Sequence, residues 1–168
     1  MIKIALDSSC LNVKKTHPVL NELNTLEEER KIQFFTSTVN SREQADTNEQ
    51  VEYREKYLKR IRETNQKPEV GLYGFSFFGT AVYGDASVTK GMENIFGQFE
   101  KLSDNNLYDA WLLITAIAHG CDYFLTKNTK HFVDQGRQTK IELLGIKVRL
   151  PNEQFLEELR TSESEDIP

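Results

Sequence analysis

The sequence predicts an α/β protein, a three-layer α/β/α sandwich around a central, mainly parallel sheet of four to five strands. Three observations lead there. Short β-branched or aromatic runs, such as IKIAL from Ile2 and IQFFT from Ile32, alternate with stretches whose apolar residues recur at helical spacing. Strands separated by helices are joined by crossovers, which makes the sheet parallel and covers both of its faces. The segment AWLLITAIA, from Ala110 to Ala118, is apolar nearly all round, as a helix lying against a sheet must be.

The elements follow in order. Ile2 to Leu6 is a strand that ends at Asp7. Pro18 opens a helix at its first turn, and Val19, Leu20, Leu23 and Leu26 carry it to about Arg30. Ile32 to Thr36 is the second strand, with Ser37 and Thr38 as helix-start or turn residues. Residues 41 to 64 are polar and read as one long exposed helix, or two with a break near Asp46; 43–64 is the candidate insertion. Gly71 to Gly84 carries four glycines and five aromatic residues, and two short strands or an ordered loop both stay open. Ser87 to Lys101 has Met92, Ile95, Phe96 and Phe99 on one helical face. Asp104 to Ala118 is the next helix, stopped by Gly120. Asp122 to Thr126 and Ile146 to Leu150 are strands. Pro151 opens a last helix with Phe155, Leu156 and Leu159 as its stripe. This makes one domain over residues 1–160 and a flexible polar tail over 161–168.

With 168 residues the chain is long enough for one domain with its own core. No apolar run reaches the roughly 20 residues that span a bilayer, and MIKIALDSSC has no basic leader, so a cytoplasmic protein without a signal peptide is expected. Cys10 and Cys121 show no metal spacing and fit reduced thiols. The net charge of −5 argues against non-specific nucleic-acid binding over the whole surface. It leaves room for an acidic site that meets phosphates through bound cations.

Such a site has candidates. Asp109 stands in the early turns of the apolar helix, where a carboxylate needs a partner: a local hydrogen bond, an arginine, or a metal ion. Asp7 directly follows a strand, where ligands of parallel sheets gather, although Asp-Ser-Ser is equally good helix-capping chemistry. The later strand ends at Thr126-Lys127-Asn128. Asp7, Asp109 and Asn128 would therefore converge, with Glu43 as a fourth member from the start of the polar helix. Oxygen-rich clusters suit Mg²⁺ or Mn²⁺, which activate water for attack on a phosphodiester.

These residues resemble the PIN-domain family. IALDSSC looks like its first strand and acid, FFTSTVNSRE its second strand and the acid Glu43, and YDAWLLITAIAHGCDYFLT its metal-binding block around Asp109. The resemblance implies a PIN-like fold and a Mg²⁺- or Mn²⁺-dependent endoribonuclease acting on single-stranded RNA, with an antitoxin protein as partner where the member is a toxin. Asp7, Glu43 and Asp109 are the implied metal ligands. The chain departs from the pattern at Asn128, where the family usually has Asp. An amide can ligate a hard cation but brings no charge, which favours one ion over two. Asp104 would restore the charge or cap its helix, with Asp134 as a weaker alternative. Thr126 would orient a ligand or close a turn.

Lys127, Lys130 and His131 flank Asn128 and are candidates for phosphate contacts; His131 is a poor general base, because metal-activated water does not require one. KYLKRIR, from Lys56 to Arg62, reads first as a solvated amphipathic face and second as a phosphate-tracking arm. The aromatic stretch 73–83 reads as core or an interaction surface ahead of a base-stacking platform, and exposed aromatics point to a homodimer. A PIN-like domain that has lost cleavage and keeps RNA or protein binding is the alternative, motivated by Asn128. A nucleotide-binding domain is disfavoured, since no glycine-rich loop follows the first strand.

Overall fold

Along β1 (Ile2–Leu6), Ile4 and Leu6 pack into one layer of helices and Ala5 into the other, the two-residue alternation of a strand buried on both faces. The computed structural model describes residues 1–11, 17–40, 65–71 and 84–165. The polar stretch 41–64, the aromatic stretch 73–83 and Glu43 lie outside the described residues.

Among the described residues, five strands form one sheet: β1, β2 (Ile32–Ser37), β3 (Asn65–Lys67), β4 (Tyr123–Leu125) and β5 (Lys147–Arg149), in the order β3-β2-β1-β4-β5. Every pairing is parallel, with Ile4 opposite both Phe34 and Tyr123 and Leu6 opposite Leu125. The predicted α/β architecture is therefore observed. β3, a polar Asn-Gln-Lys edge strand, was not predicted, because it lacks the apolar alternation that marks a strand.

Ile4, Leu6, Ile32, Phe34, Tyr123 and Leu125 pack against α1 (Ser8–Leu11), α2 (Pro18–Glu28) and α7 (Glu153–Glu165). Ala5, Phe35, Phe124 and Val148 face α3 (Ala86–Phe96), α4 (Asp104–Ala118), α5 (Thr129–Phe132) and α6 (Arg137–Glu142). The centre of the second layer is aromatic: Phe132 packs against Phe124 and Phe96 at centroid separations of 5.0 and 6.2 Å. Truncating Phe124 to Ala would cost about 3–5 kcal/mol.

Three expectations are corrected. The helix expected from Ser87 to Lys101 ends at Phe96, because Gly97 takes φ +111°, and a separate 3₁₀ turn covers Phe99–Lys101. Pro151 does not open the last helix; Asn152 caps it, its Oδ1 accepting from Phe155 N at 3.0 Å. That helix then runs to Glu165, past the start of the expected tail, and the Thr161 and Ser162 hydroxyls bond back to the carbonyls of Glu157 and Glu158. As predicted, Asp104 to Ala118 is helical and buried on most sides, and the chain after it turns through Gly120 at φ +64°.

Candidate functional site

The strand order contains a switch point. From β1 the chain builds outward through β2 to β3, then crosses back and builds β4 and β5 on the other side. The direction reverses between β1 and β4, and ligands of open parallel sheets bind beyond the carboxyl ends of the strands at such a switch point. Asp7 and Thr126 are the residues that leave β1 and β4 there.

Asp7 is 3% exposed. Its Oδ2 accepts from the Thr126 hydroxyl at 2.7 Å and from the Ser9 hydroxyl, and the Ser8 and Ser9 amides also point at its carboxylate. It thus caps α1 while standing at the carboxyl end of β1. Ser9 Oγ in turn accepts from Lys127 N at 2.9 Å, and Thr126 Oγ1 from Asn128 N at 2.9 Å. A continuous set of hydrogen bonds ties the loop after β1 to the loop after β4.

Asp109, 5% exposed, comes from the second turn of α4. Its Oδ2 is hydrogen-bonded to His131 Nδ1. Burial pushes the Asp109 carboxyl up to about 8; the charge of Asp7 raises it further, and Arg137 opposes the rise. Burial also raises Asp7, against the hydroxyl and amide hydrogen bonds that favour its ionised form. His131 is held below its ordinary value, first by burial and then by Arg137 and Lys130. Two buried carboxylates are therefore both pushed toward their neutral forms, Asp109 also by the charge of Asp7.

The other sequence candidates are placed less centrally. Asn128 caps α5, its Oδ1 accepting from His131 N at 3.3 Å. Asp104 is exposed at the first helical position of α4, about 140° round the helix from Asp109. Lys127 and Lys130 are exposed on the segment that follows β4. Sequence reasoning missed three members of the surroundings. Asn40 is fully buried, accepts from Ser37 N at 2.8 Å and donates to Ser8 Oγ at 3.0 Å. Ser9 links Asp7 to Lys127, and Arg137 donates to the His131 carbonyl at 3.2 Å. Only the hydroxyls of the Ser8-Ser9 run gave a signal, and it reads as capping.

Among the described residues, no three His, Cys, Asp or Glu side chains stand close enough together to hold an ion. The donors that are present nonetheless fit a hard divalent cation in chemistry and charge. Asp7 and Asp109 supply carboxylate oxygens whose ionised forms are destabilised by burial, that of Asp109 also by the charge of Asp7, and a cation would relieve these penalties. The amide oxygens of Asn40 and Asn128 are engaged by backbone N–H groups. Cys10 and Cys121 are buried free thiols raised by burial, which keeps them out of nucleophilic or thiolate-ligand roles. No helix among the described residues is long and apolar enough to cross a membrane.

No family model matches the chain, and no curated protein matches it. Among solved structures it is similar to the crystal structure of FitAcB from Neisseria gonorrhoeae, at 13% identity over 88% of this chain and 97% of that one, with a TM-score of 0.46. It is also similar to FitAB bound to an IR36 DNA fragment, at 15% identity over 88% of this chain and 94% of that one, with a TM-score of 0.43.

Proposed function

We propose that the chain is a metal-dependent endoribonuclease that hydrolyses phosphodiester bonds of single-stranded RNA, the toxin of a toxin–antitoxin pair whose antitoxin is its protein partner. The observation that carries the reading is a pair of buried carboxylates, Asp7 at the switch point of a parallel sheet and Asp109, whose proton is held by burial and by the charge of Asp7. The resemblance of the segments around them to the PIN-domain family supplies the substrate class.

In this reading Asp7, Asp109 and Glu43 hold Mg²⁺ or Mn²⁺, and such an ion, when bound, supplies an activated water and neutralises charge on the phosphodiester. The chain's own part is positioning. Thr126 and Ser9 fix the Asp7 carboxylate through two hydroxyls. Lys127 and Lys130, exposed on the loop after β4, take the flanking phosphates.

The test is Mn²⁺-dependent cleavage of single-stranded RNA by the full chain and by Asp109→Asn. Cleavage by the unaltered chain, and its loss in a variant that unfolds as cooperatively as the parent, supports the assignment. An unchanged rate in the variant sinks it.

One observation favours a second reading, a PIN-like module that binds RNA or protein without cleaving. The amide oxygen of Asn128 is turned to its own helix cap, so it brings no oxygen to a cation. Calorimetry separates the two readings, since the binding module takes up no Mn²⁺.

A further inference from the structure

His131 lies 22 residues beyond Asp109, yet its Nδ1 meets Asp109 Oδ2. The contact is built from both sides of the histidine. Asn128 Oδ1 accepts from the His131 amide, and Arg137 Nη1 donates to the His131 carbonyl at 3.2 Å. Arg137 is itself seated on the Phe96 ring, its guanidinium carbon 5.3 Å from the centroid. The next residue, Phe132, is fully buried against Phe124 and Phe96. Backbone, cap and aromatic anchor therefore leave the imidazole little choice of place. A surface histidine reaching for substrate has no need of such support.

We propose that His131 is a positioning residue for the metal site: it ties one oxygen of Asp109 so that the carboxylate presents the other to a divalent cation. The inference rests on the metal-site reading above. A carboxylate that ligates through one oxygen turns freely unless a donor holds its second, and donors of this kind set both ligand orientation and ion affinity. In that arrangement the Asp109 carboxylate accepts and the imidazole Nδ1–H donates. The role differs from a phosphate contact, which would need the ring turned to solvent and would leave ion affinity unchanged.

Isosteric replacement tests the assignment. In His131→Asn the side-chain amide nitrogen occupies nearly the place of Nδ1 and keeps the donor. In His131→Gln the amide lies one atom further out, and His131→Ala has no donor. The measurement is Mn²⁺ affinity by titration calorimetry on the full chain, without RNA, with thermal unfolding in chelator as a check on folding. The expected result is an affinity for His131→Asn within a fewfold of the parent, and a loss of about 10- to 100-fold for His131→Gln and His131→Ala. Should the alanine variant fail to fold, the glutamine variant carries the comparison. Equal affinities of parent, glutamine and alanine chains overturn the role of His131 alone. Absence of Mn²⁺ binding by the parent overturns the metal reading itself and this inference with it.

Discussion

Thr126 donates its hydroxyl to Asp7 Oδ2 at 2.7 Å, closing the end of β4 onto the end of β1 where the strand order reverses. The hydroxyl oxygen of Thr126 in turn accepts from Asn128 N. Thr126→Val keeps the shape and removes both bonds. It strips a buried carboxylate of a donor and a half-buried amide of its acceptor, and a loss of about 1–3 kcal/mol is expected. Urea unfolding measures it. Thr126→Ser should stay near the parent, and a valine variant as stable as the parent would show that the hydroxyl is dispensable.

The buried carboxylates set a pH dependence with a definite sign. The folded-state pKa of Asp109, about 8, lies above its unfolded value of 3.8. The folded chain therefore holds a proton that the unfolded chain has released, and stability falls as pH rises through the interval. His131 acts oppositely, being held below 6.5, so its effect is complete once pH passes that value. Asp85 and Glu158 are lowered and matter only toward acid pH. Both thiols are raised from 9.0 and matter only above it. Asp7 is raised as well and adds a fall of the same sign, so between pH 6.5 and about 8 the metal-free chain should lose stability, and Asp109→Asn should reduce the slope. A parent chain whose melting temperature in chelator rises across that window contradicts the assignment.

Divalent cations should reverse that slope. Binding requires both carboxylates ionised, so affinity rises with pH as protons cease to compete. An ion held at a hundredfold excess over its Kd adds about 2.7 kcal/mol to the folded state. The melting-temperature gain from Mn²⁺ should accordingly be larger at pH 8 than at pH 6 and absent in Asp109→Asn. A gain of the same size at both pH values, or one that survives the substitution, would place the ion elsewhere.

What could be read beforehand, and what could not, divides along physical lines. β1, β2 and α4 were legible because each buries most of its surface and so writes a long apolar pattern into the chain. Asp7 and Asp109 stood out as acids inside such patterns. The Asp109–His131 contact had no such mark: it joins residues 22 apart in sequence on two helices, and a lone histidine among lysines looks like a surface residue. Asn40 was equally silent, since one buried amide satisfied by Ser37, Ser8 and Leu6 leaves no period. The α3 boundary failed for a local reason, Gly97 at φ +111°, which outweighs apolar residues that continue beyond it.

The departure at Asn128 makes the last prediction. Its Oδ1 accepts from His131 N, and its side chain is the N-cap of α5. Asn and Asp are about equally good in that place, whereas Ala loses about 1 kcal/mol. Asn128→Asp should therefore fold as stably as the parent and Asn128→Ala less so. The cap also decides what the restored charge can do. A carboxylate engaged by the helix N-terminus stays on that helix, which favours negative charge there, and offers little to a second cation. Mn²⁺ titration of Asn128→Asp should then show the stoichiometry of the parent, with no faster cleavage of RNA. A stoichiometry doubled by this one substitution would mean that the side chain leaves its cap for the metal site, and that the missing charge is what holds that site to a single ion.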